Sequence, residues 1–445
     1  MVEQFFHLQQ HGTTVKREIL AGVTTFLTMA YILPVQPAML SQDFAGNPTG
    51  LPSDAVLLAT CLAAAGATLI MGLYARYPIA LAPGMGQNAF FVSVIMTLTA
   101  AGHANAWQTT LGIVLVSGLA FVALSLVGIR SMLLDALSVS LRNGIAVGIG
   151  LFIALIGLKN SGIIVDHPAT LIQLNQAGPL TIDWAVFWFG FLVTALLLVR
   201  GVPGAILWGI LGATALAALG GQLQAPATLI GLPQKNVFFQ IDLVGALSLE
   251  CLPFVLLFLY MDVFDTMGTL IGVTEQSGLA QQGKLERGRQ AMLADAIGTV
   301  GGACLGTSTV TSYVESAAGV QLGGRTGLTA VTVATLFLLA LPLTPVISMI
   351  GSYPPITGPA LVLVGAMLAG NVTKVCWSDA SEAIPAFLII LGIPLTFSIA
   401  DGIALGLIAY PAVKLCGGKP REAHWIMYLL ALLLVAYFFG RSWAG

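Results

Sequence analysis

The chain has 445 residues, of which 57% are hydrophobic and only 8% charged, and it carries a net charge of −2 at neutral pH. Its mean hydropathy is +0.93, whereas soluble domains are about 25% charged, so a soluble globular protein is excluded and a polytopic membrane protein is indicated. At ~20 residues per helical span the length accommodates roughly a dozen to fifteen spans, with no hydrophilic stretch left for a soluble domain and no basic patch suited to nucleic acid.

The N-terminal stretch MVEQFFHLQQHGTTVKREIL is polar and lacks the apolar core and small-residue cleavage site of a signal peptide. The first span is therefore expected to be permanent, preceded by a cytoplasmic tail over residues 1–18. Hydropathy predicts spans near 19–41, 54–74, 79–100, 107–128, 142–158, 182–199 and 203–220, and a second set near 251–274, 290–305, 308–322, 326–350, 355–373, 384–399 and 401–417. The last two are divided at Asp401-Gly402, and a final apolar stretch, 425–440, is either an additional span or a re-division of the two short segments before it. With the N-terminus inside, 14 of the 17 basic residues fall on the cytoplasmic side, Arg130 and Lys284 among them, and only Lys159, Lys235 and Arg441 outside. That asymmetry satisfies the positive-inside rule.

Five scattered cysteines without C-x-x-C spacing argue against disulfides or a metal site. All five histidines (His7, His11, His103, His167, His424) fall in termini or loops, which argues against a histidine proton relay or a haem. No cofactor is expected.

The most unusual stretch is Gly306–Leu328, GTSTVTSYVESAAGVQLGGRTGL. Thr307–Tyr313 is rich in β-branched and hydroxyl residues and predicts a strand, whereas Glu315–Gly319 predicts the start of a short helix. Irregular backbone inside a membrane is tolerated only where it lines a protected cavity. The third span of the first set opens on a comparable interruption, PIALAPGMGQNAFF (78–91). Seven spans per set is an odd number, so the two sets are inverted, and paired interrupted segments at matching positions point to a transporter binding site.

Ionisable groups within spans are costly and functional by default. Four qualify: Asp262 and Asp265 in LYMDVFDTMGTLIG, Asp295 in MLADAIGTVGG, and Glu315. Asp262 and Asp265 lie three apart and share a helix face. Two carboxylates in one dry cleft cannot both ionise cheaply, so either is a ligand and proton-coupling candidate, or one merely satisfies backbone amides or hydroxyls of a neighbouring broken helix. Glu315 either accepts ligand N–H groups or carries the proton, or else caps the half-helix beside it. Asn88 offers both donor and acceptor to a heterocycle edge, or is a local cap. Thr311, Gly86 and Ser316, on the same two segments, complete the candidate substrate-binding set. Asp295 is expected near the cytoplasmic end of its span, paired with a loop arginine or neighbouring backbone. Phe90, Phe91 and Phe264 could stack on a planar ligand, although aromatic residues in spans usually face lipid or core.

FLTMAYI (26–32), APGMGQNAFF (82–91), GIGLFIALIGL (148–158), FDTMGTLIGV (264–273), GTSTVTSYVESAAGV (306–320), GGRTGLTA (323–330) and EAIPAF (382–387) together resemble the AzgA-like purine permeases. These form the adenine, guanine and hypoxanthine branch of the nucleobase transporter superfamily, which also includes uracil permeases. The resemblance implies an all-α polytopic fold of about 14 spans in two inverted seven-span repeats, with spans 3 and 10 built as a short strand plus a half-helix. It further implies a core domain (19–128 and 242–350) moving against a gate domain (129–241 and 351–445, the latter with the C-terminal apolar segment). Carried over by motif, Glu315 falls at the base-binding carboxylate of span 10, Asp265 or Asp262 at the acidic position of span 8, and Asn88 at the polar position of span 3. With the carboxylates, this predicts a proton-coupled purine nucleobase importer of a bacterial inner (plasma) membrane; the resemblance implies an architecture that is often a homodimer joined through its gate domains, while the sequence leaves the oligomeric state open. The uracil branch has Glu followed by His where this chain has Asp265-Thr266, which weighs against xanthine or uracil. Gln87 stands where many members have an apolar residue.

Three rivals are weaker. An anion transporter of the sulfate or bicarbonate kind would want a cationic or amide-lined site, against the acidic residues here. An intramembrane enzyme would need a nucleophile with a base, or metal ligands. A channel would need an acidic ring or a carbonyl filter.

Overall fold

The computed structural model describes residues 2–44, 46–127, 138–167, 171–176, 181–277, 280–281, 284–285 and 287–444. Arg130 lies outside these, as do the side chains of Phe264, Lys284 and Arg441. The architecture is helical. The first half contains α1 (Val15–Met29), α2 (Ile32–Leu40), α3 (Ser53–Ile70), β1 (Leu81–Pro83), α4 (Met85–Ala100), α5 (Ala106–Val127), α6 (Val139–Asn160), α7 (Ile182–Val199) and α8 (Ala205–Leu219). The second half contains α9 (Leu252–Ser277), α10 (Gly288–Leu305), β2 (Val310–Ser312), α11 (Ser316–Gln321), α12 (Gly327–Ala340), α13 (Thr344–Gly351), α14 (Pro354–Ala369), α15 (Ala380–Thr396), α16 (Ile399–Cys416) and α17 (Trp425–Ala444). Among the described residues seven helical stretches, α1 and α2 counted together, are long and apolar enough to cross a bilayer, and four shorter apolar helices accompany them.

Prolines explain where predicted spans break. The first span is two helices, interrupted at Ala30–Tyr31. Pro34 has no N–H to return to the Ala30 carbonyl and its ring crowds that carbonyl, so the helix cannot run through. The eleventh is likewise divided between α12 and α13 by Leu341-Pro342-Leu343. Near the C-terminus the break falls at Phe397–Ser398, not at Asp401-Gly402. Phe397 turns left-handed at φ 51° and the Ser398 side chain caps the Asp401 N–H, placing Asp401 in the first turn of α16. The apolar stretch 425–440 lies in a separate helix, α17, packed on α16, so it is not a re-division of the two helices before it.

Helix packing sorts the elements into two groups. In one, α10 lies against α3 and α5, α12 against α1 and α3, and α9 against α5. In the other, α14 packs on α6, α7 and α8, while α15 packs on α6 and α16. Small residues let these helices approach closely: a side chain at Gly150 or Gly157 of α6 would strike the Gly365 or Gly358 carbonyl of α14. Glu18, fully buried on α1, receives the N–H groups of Arg325 (2.8 Å), Thr326 (3.3 Å) and Thr329 (3.2 Å) and the Thr329 hydroxyl (2.6 Å). It thereby satisfies donors that the N-terminus of α12 would otherwise leave orphaned.

Candidate functional site

The two interrupted segments meet. β1 and β2 pair antiparallel with Leu81 opposite Ser312, Ala82 opposite Thr311 and Pro83 opposite Val310. The ladder is prolonged by Tyr313 N–H to Ala80 C=O (2.9 Å) and Gly84 N–H to Thr309 C=O (3.0 Å). Pro83 forces Ala82 extended, and β-branched Val310 and Thr311 suit the facing strand. Gly84 is required at the turn into α4, because a side chain there would overlap the Gln87 amide and the Thr311 methyl. Gly306, at φ 100°, ends α10 and lets the chain reverse into β2.

The inverted symmetry reaches down to single hydroxyls. Thr68 on α3 accepts the Leu81 N–H (2.9 Å) and lies 3.0 Å from the Leu81 carbonyl as its donor. Thr299 on α10 likewise accepts the Val310 N–H at 3.2 Å, and its one hydroxyl hydrogen lies within reach of both the Val310 carbonyl (3.0 Å) and Asp262 (2.7 Å). Each strand, too short to be stable alone, is thus bonded to the helix preceding it.

Around this crossing the carboxylates take distinct positions. Asp265 is accessible and accepts from Gln87 Nε2 at 3.0 Å. Glu315, partly accessible, precedes α11 with helical backbone angles, makes no capping bond to it, and accepts from Tyr31 Oη at 2.9 Å. Tyr31 reaches it because the break in the first span falls there. Asp262 is buried beneath the strands, one oxygen taking the Thr299 hydroxyl at 2.7 Å and the other without a partner. Asp295 is also fully buried. It accepts from Thr266 (2.6 Å) and Ser312 (2.9 Å) rather than from a loop arginine, because it lies two turns inside α10 against β2. Among the described residues no Lys, Arg or His forms an ion pair with any of the four.

The other sequence candidates mostly belong to the frame. Asn88 is 0% exposed and its amide is spent on a reciprocal pair with Gln36, whose Nε2 reaches Asn88 Oδ1 at 3.0 Å and Thr307 Oγ1 at 3.1 Å. Ser308 also donates to Asn88. The structure therefore does not bring Asn88 to the accessible carboxylates; its neighbour Gln87 is the amide that touches Asp265. Ser316 is buried and accepts the Ala80 N–H at 3.0 Å. Thr311 is buried, its hydroxyl 3.1 Å from that of Thr266. Gly86 is partly accessible and faces Ile149 of α6 across the boundary between the two helix groups. Phe90 packs on Phe254 and Phe258 in the core, and Phe91 is fully buried. Tyr31, Gln36 and Gln87 escaped the candidate set. The available signal was a polar side chain in an apolar run: Gln36 in ILPVQPAML and Tyr31 beside the break made by Pro34. Among the described residues no group of three or more His, Cys, Asp or Glu is arranged to hold a metal ion.

Two inverted halves joined through crossed strands, each strand continuing into a half-helix and the pair flanked by accessible carboxylates, are the architecture of an inverted-repeat membrane transporter. The comparisons with known proteins specify the class. Residues 16–405 match the model of the Xan_ur_permease family, described as a permease family. The guanine/hypoxanthine permease PbuG of Bacillus subtilis (strain 168) is 42% identical over 98% of this chain and 99% of its own. The adenine permease AdeP of Escherichia coli (strain K12) is 38% identical over 98% of this chain and 95% of its own. Among solved structures, the transmembrane domain of the cyanobacterial bicarbonate transporter BicA superposes with a TM-score of 0.64 at 16% identity, covering 88% of this chain and 97% of that one, a likeness of fold. The chain belongs to this permease family, a multi-pass membrane transport protein rather than an enzyme, with the inverted-repeat fold.

Proposed function

We propose that the protein carries purine nucleobases across a bacterial inner membrane together with protons, by alternating access. The observation that carries this reading is the pair Asp265 and Glu315, accessible at the strand crossing, each held by a neutral donor (Gln87 or Tyr31) and neither neutralised by a cation among the described residues. Acceptor oxygens fixed in this way match the N–H edges of a purine, and full-length relatives are named guanine/hypoxanthine and adenine permeases.

Proton coupling follows from charge. Asp262 and Asp295 are buried, Asp265 and Glu315 lie beside the same strand crossing, and four uncompensated negative charges gathered there would be costly. Protons can neutralise them, and a base that binds better to one protonation state couples the two movements. Asp265 and Glu315 are the proposed direct contacts. Asp262, Thr311, Ser316 and Asn88 support them from behind, and Gly86 keeps the approach to α6 narrow.

The two helix groups are the proposed core (α1–α5 and α9–α13) and gate (α6–α8 and α14–α16), with an N-terminus in the cytoplasm. Half-helix α4 packs on α6 and α16 of the gate, whereas α11 packs chiefly on α1 and α9 of its own group. The far end of α11 lies beside the N-terminal tail, where Thr13 donates to the Gly323 carbonyl at 3.3 Å. This arrangement supports a site open toward the N-terminal side.

The test is uptake of labelled adenine, hypoxanthine, guanine, xanthine and uracil in cells lacking their own carriers. Accumulation of at least one purine that collapses with a protonophore, and its loss in Glu315→Gln with the protein still in the membrane, is the expected result. Accumulation of no purine would reject the substrate, and survival of accumulation under the protonophore would reject the coupling.

A further inference from the structure

The Gln87 carboxamide is only partly used. Its Nε2 donates to Asp265 Oδ2 at 3.0 Å, while its Oε1, on a side chain 2% exposed, has no hydrogen-bond partner. A buried acceptor without a donor is costly and unusual in a native interior, and this one lies one bond from an accessible carboxylate, in the first turn of α4 beside partly accessible Gly86. Oε1 lies against Gly84, where a side chain would overlap it, and the Gly84 N–H is already given to the Thr309 carbonyl at 3.0 Å. Because Nε2 is held by Asp265, the amide presents its oxygen rather than its NH2 group. An atom that can only accept calls for an N–H.

We infer that Gln87 is a specificity-determining residue whose Oε1 accepts one ring N–H of the transported heterocycle, beside the Asp265 carboxylate. This inference rests on the nucleobase reading above and deepens it. Asp265 and Gln87 form one composite acceptor, in which the first repeat (α4) and the second (α9) read adjacent hydrogens on the same ligand. A ligand lacking the hydrogen read by Gln87 leaves the orphan unsatisfied and binds less well.

The experiment pairs a protein change with ligand changes. Competition against uptake of the labelled base is measured for hypoxanthine and its 1-, 3-, 7- and 9-methyl derivatives, in the wild type and in Gln87→Leu. Methylation that removes the hydrogen read by Gln87, at N1 or at both N7 and N9 if the imidazole N–H is the one read, should weaken competition by about tenfold more in the wild type than in the variant, while the penalties at the remaining positions stay equal in both. Gln87→Met serves as a second variant, and binding to the purified protein replaces uptake if either variant fails to transport. Equal penalties at all four positions in both proteins, or a uniform loss for every ligand, would overturn the inference and reduce Gln87 to a support for Asp265. Absence of purine transport by the wild type would instead refute the underlying functional reading, so the two failures are distinguishable.

Discussion

Tyr31→Phe isolates one bond at the site and leaves the rest of the side chain in place. The hydroxyl donates to Glu315 Oε1 at 2.9 Å from a residue 2% exposed, across 284 positions of sequence. Hydrogen bonds to charged groups contribute about 1.5–3 kcal/mol. Water entering the open cleft recovers part of this, so a net loss near 1.4 kcal/mol, about tenfold in affinity, is expected. If Glu315 is the base-binding carboxylate and Tyr31 orients it, KM for the purine rises about tenfold while the maximal rate changes by less than about threefold. The assay is initial-rate uptake against concentration, normalised to protein in the membrane. In thermal unfolding of the purified protein, the effects of Tyr31→Phe and Glu315→Gln should be less than additive, since both weaken the same bond. An unchanged KM, or a fall in maximal rate alone, would show that substrate binding does not depend on the orientation of Glu315.

Three further changes test the frame. Glu18→Ala should destabilise the purified protein by about 2–4 kcal/mol, because it strips the buried acceptor from three backbone N–H groups and a hydroxyl; a melting temperature like the wild type's would refute that role. Lys414→Met leaves Glu382, which Lys414 holds at 2.9 Å from a position 2% exposed, without its cation and should cost about 3 kcal/mol. Adding Glu382→Gln should restore most of that, and failure to restore would place the loss in the Glu422 pair (2.9 Å) or in packing rather than in the Glu382 pair. Gln36→Ala and Asn88→Ala should couple by more than about 1 kcal/mol in a double-mutant cycle of unfolding, since each amide is the other's partner; strict additivity would contradict the reciprocal pair.

The parts of the fold legible in the sequence are those written in local chemistry. Hydropathy locates the spans, β-branched Val310 and Thr311 mark the strand, and the return to small residues after Glu315 marks the half-helix, which runs from Ser316 to Gln321. The prolines that break the first and eleventh spans were equally visible, but apolar residues on both sides of each break let hydropathy run through it. What could not be read locally is which polar groups find one another. Glu18 lies in the first turn of α1 and looks like a residue of the solvated tail; only the docking of α12, some 307 positions later, buries it. Asp295 shows the same effect, because its partners Thr266 and Ser312 come from elements on either side of it in the chain.

Asn88 and Gln87 are the sharpest instance. Adjacent positions on an α-helix point about 100° apart, so only one of two neighbouring amides can face Asp265. The sequence around them, MGQNAFFVSVIM, has apolar residues on every side, so no amphipathic stripe indicates which face turns toward the partner helix. The phase of α4 is set from outside it. Gln36 draws the Asn88 amide into a closed pair 52 positions distant, the strand pairing anchors Gly84, and Gln87 is then the amide left to meet Asp265. Two amides of nearly identical chemistry thus divide into a brace and a reader, and the division is made by a glutamine in the broken first span.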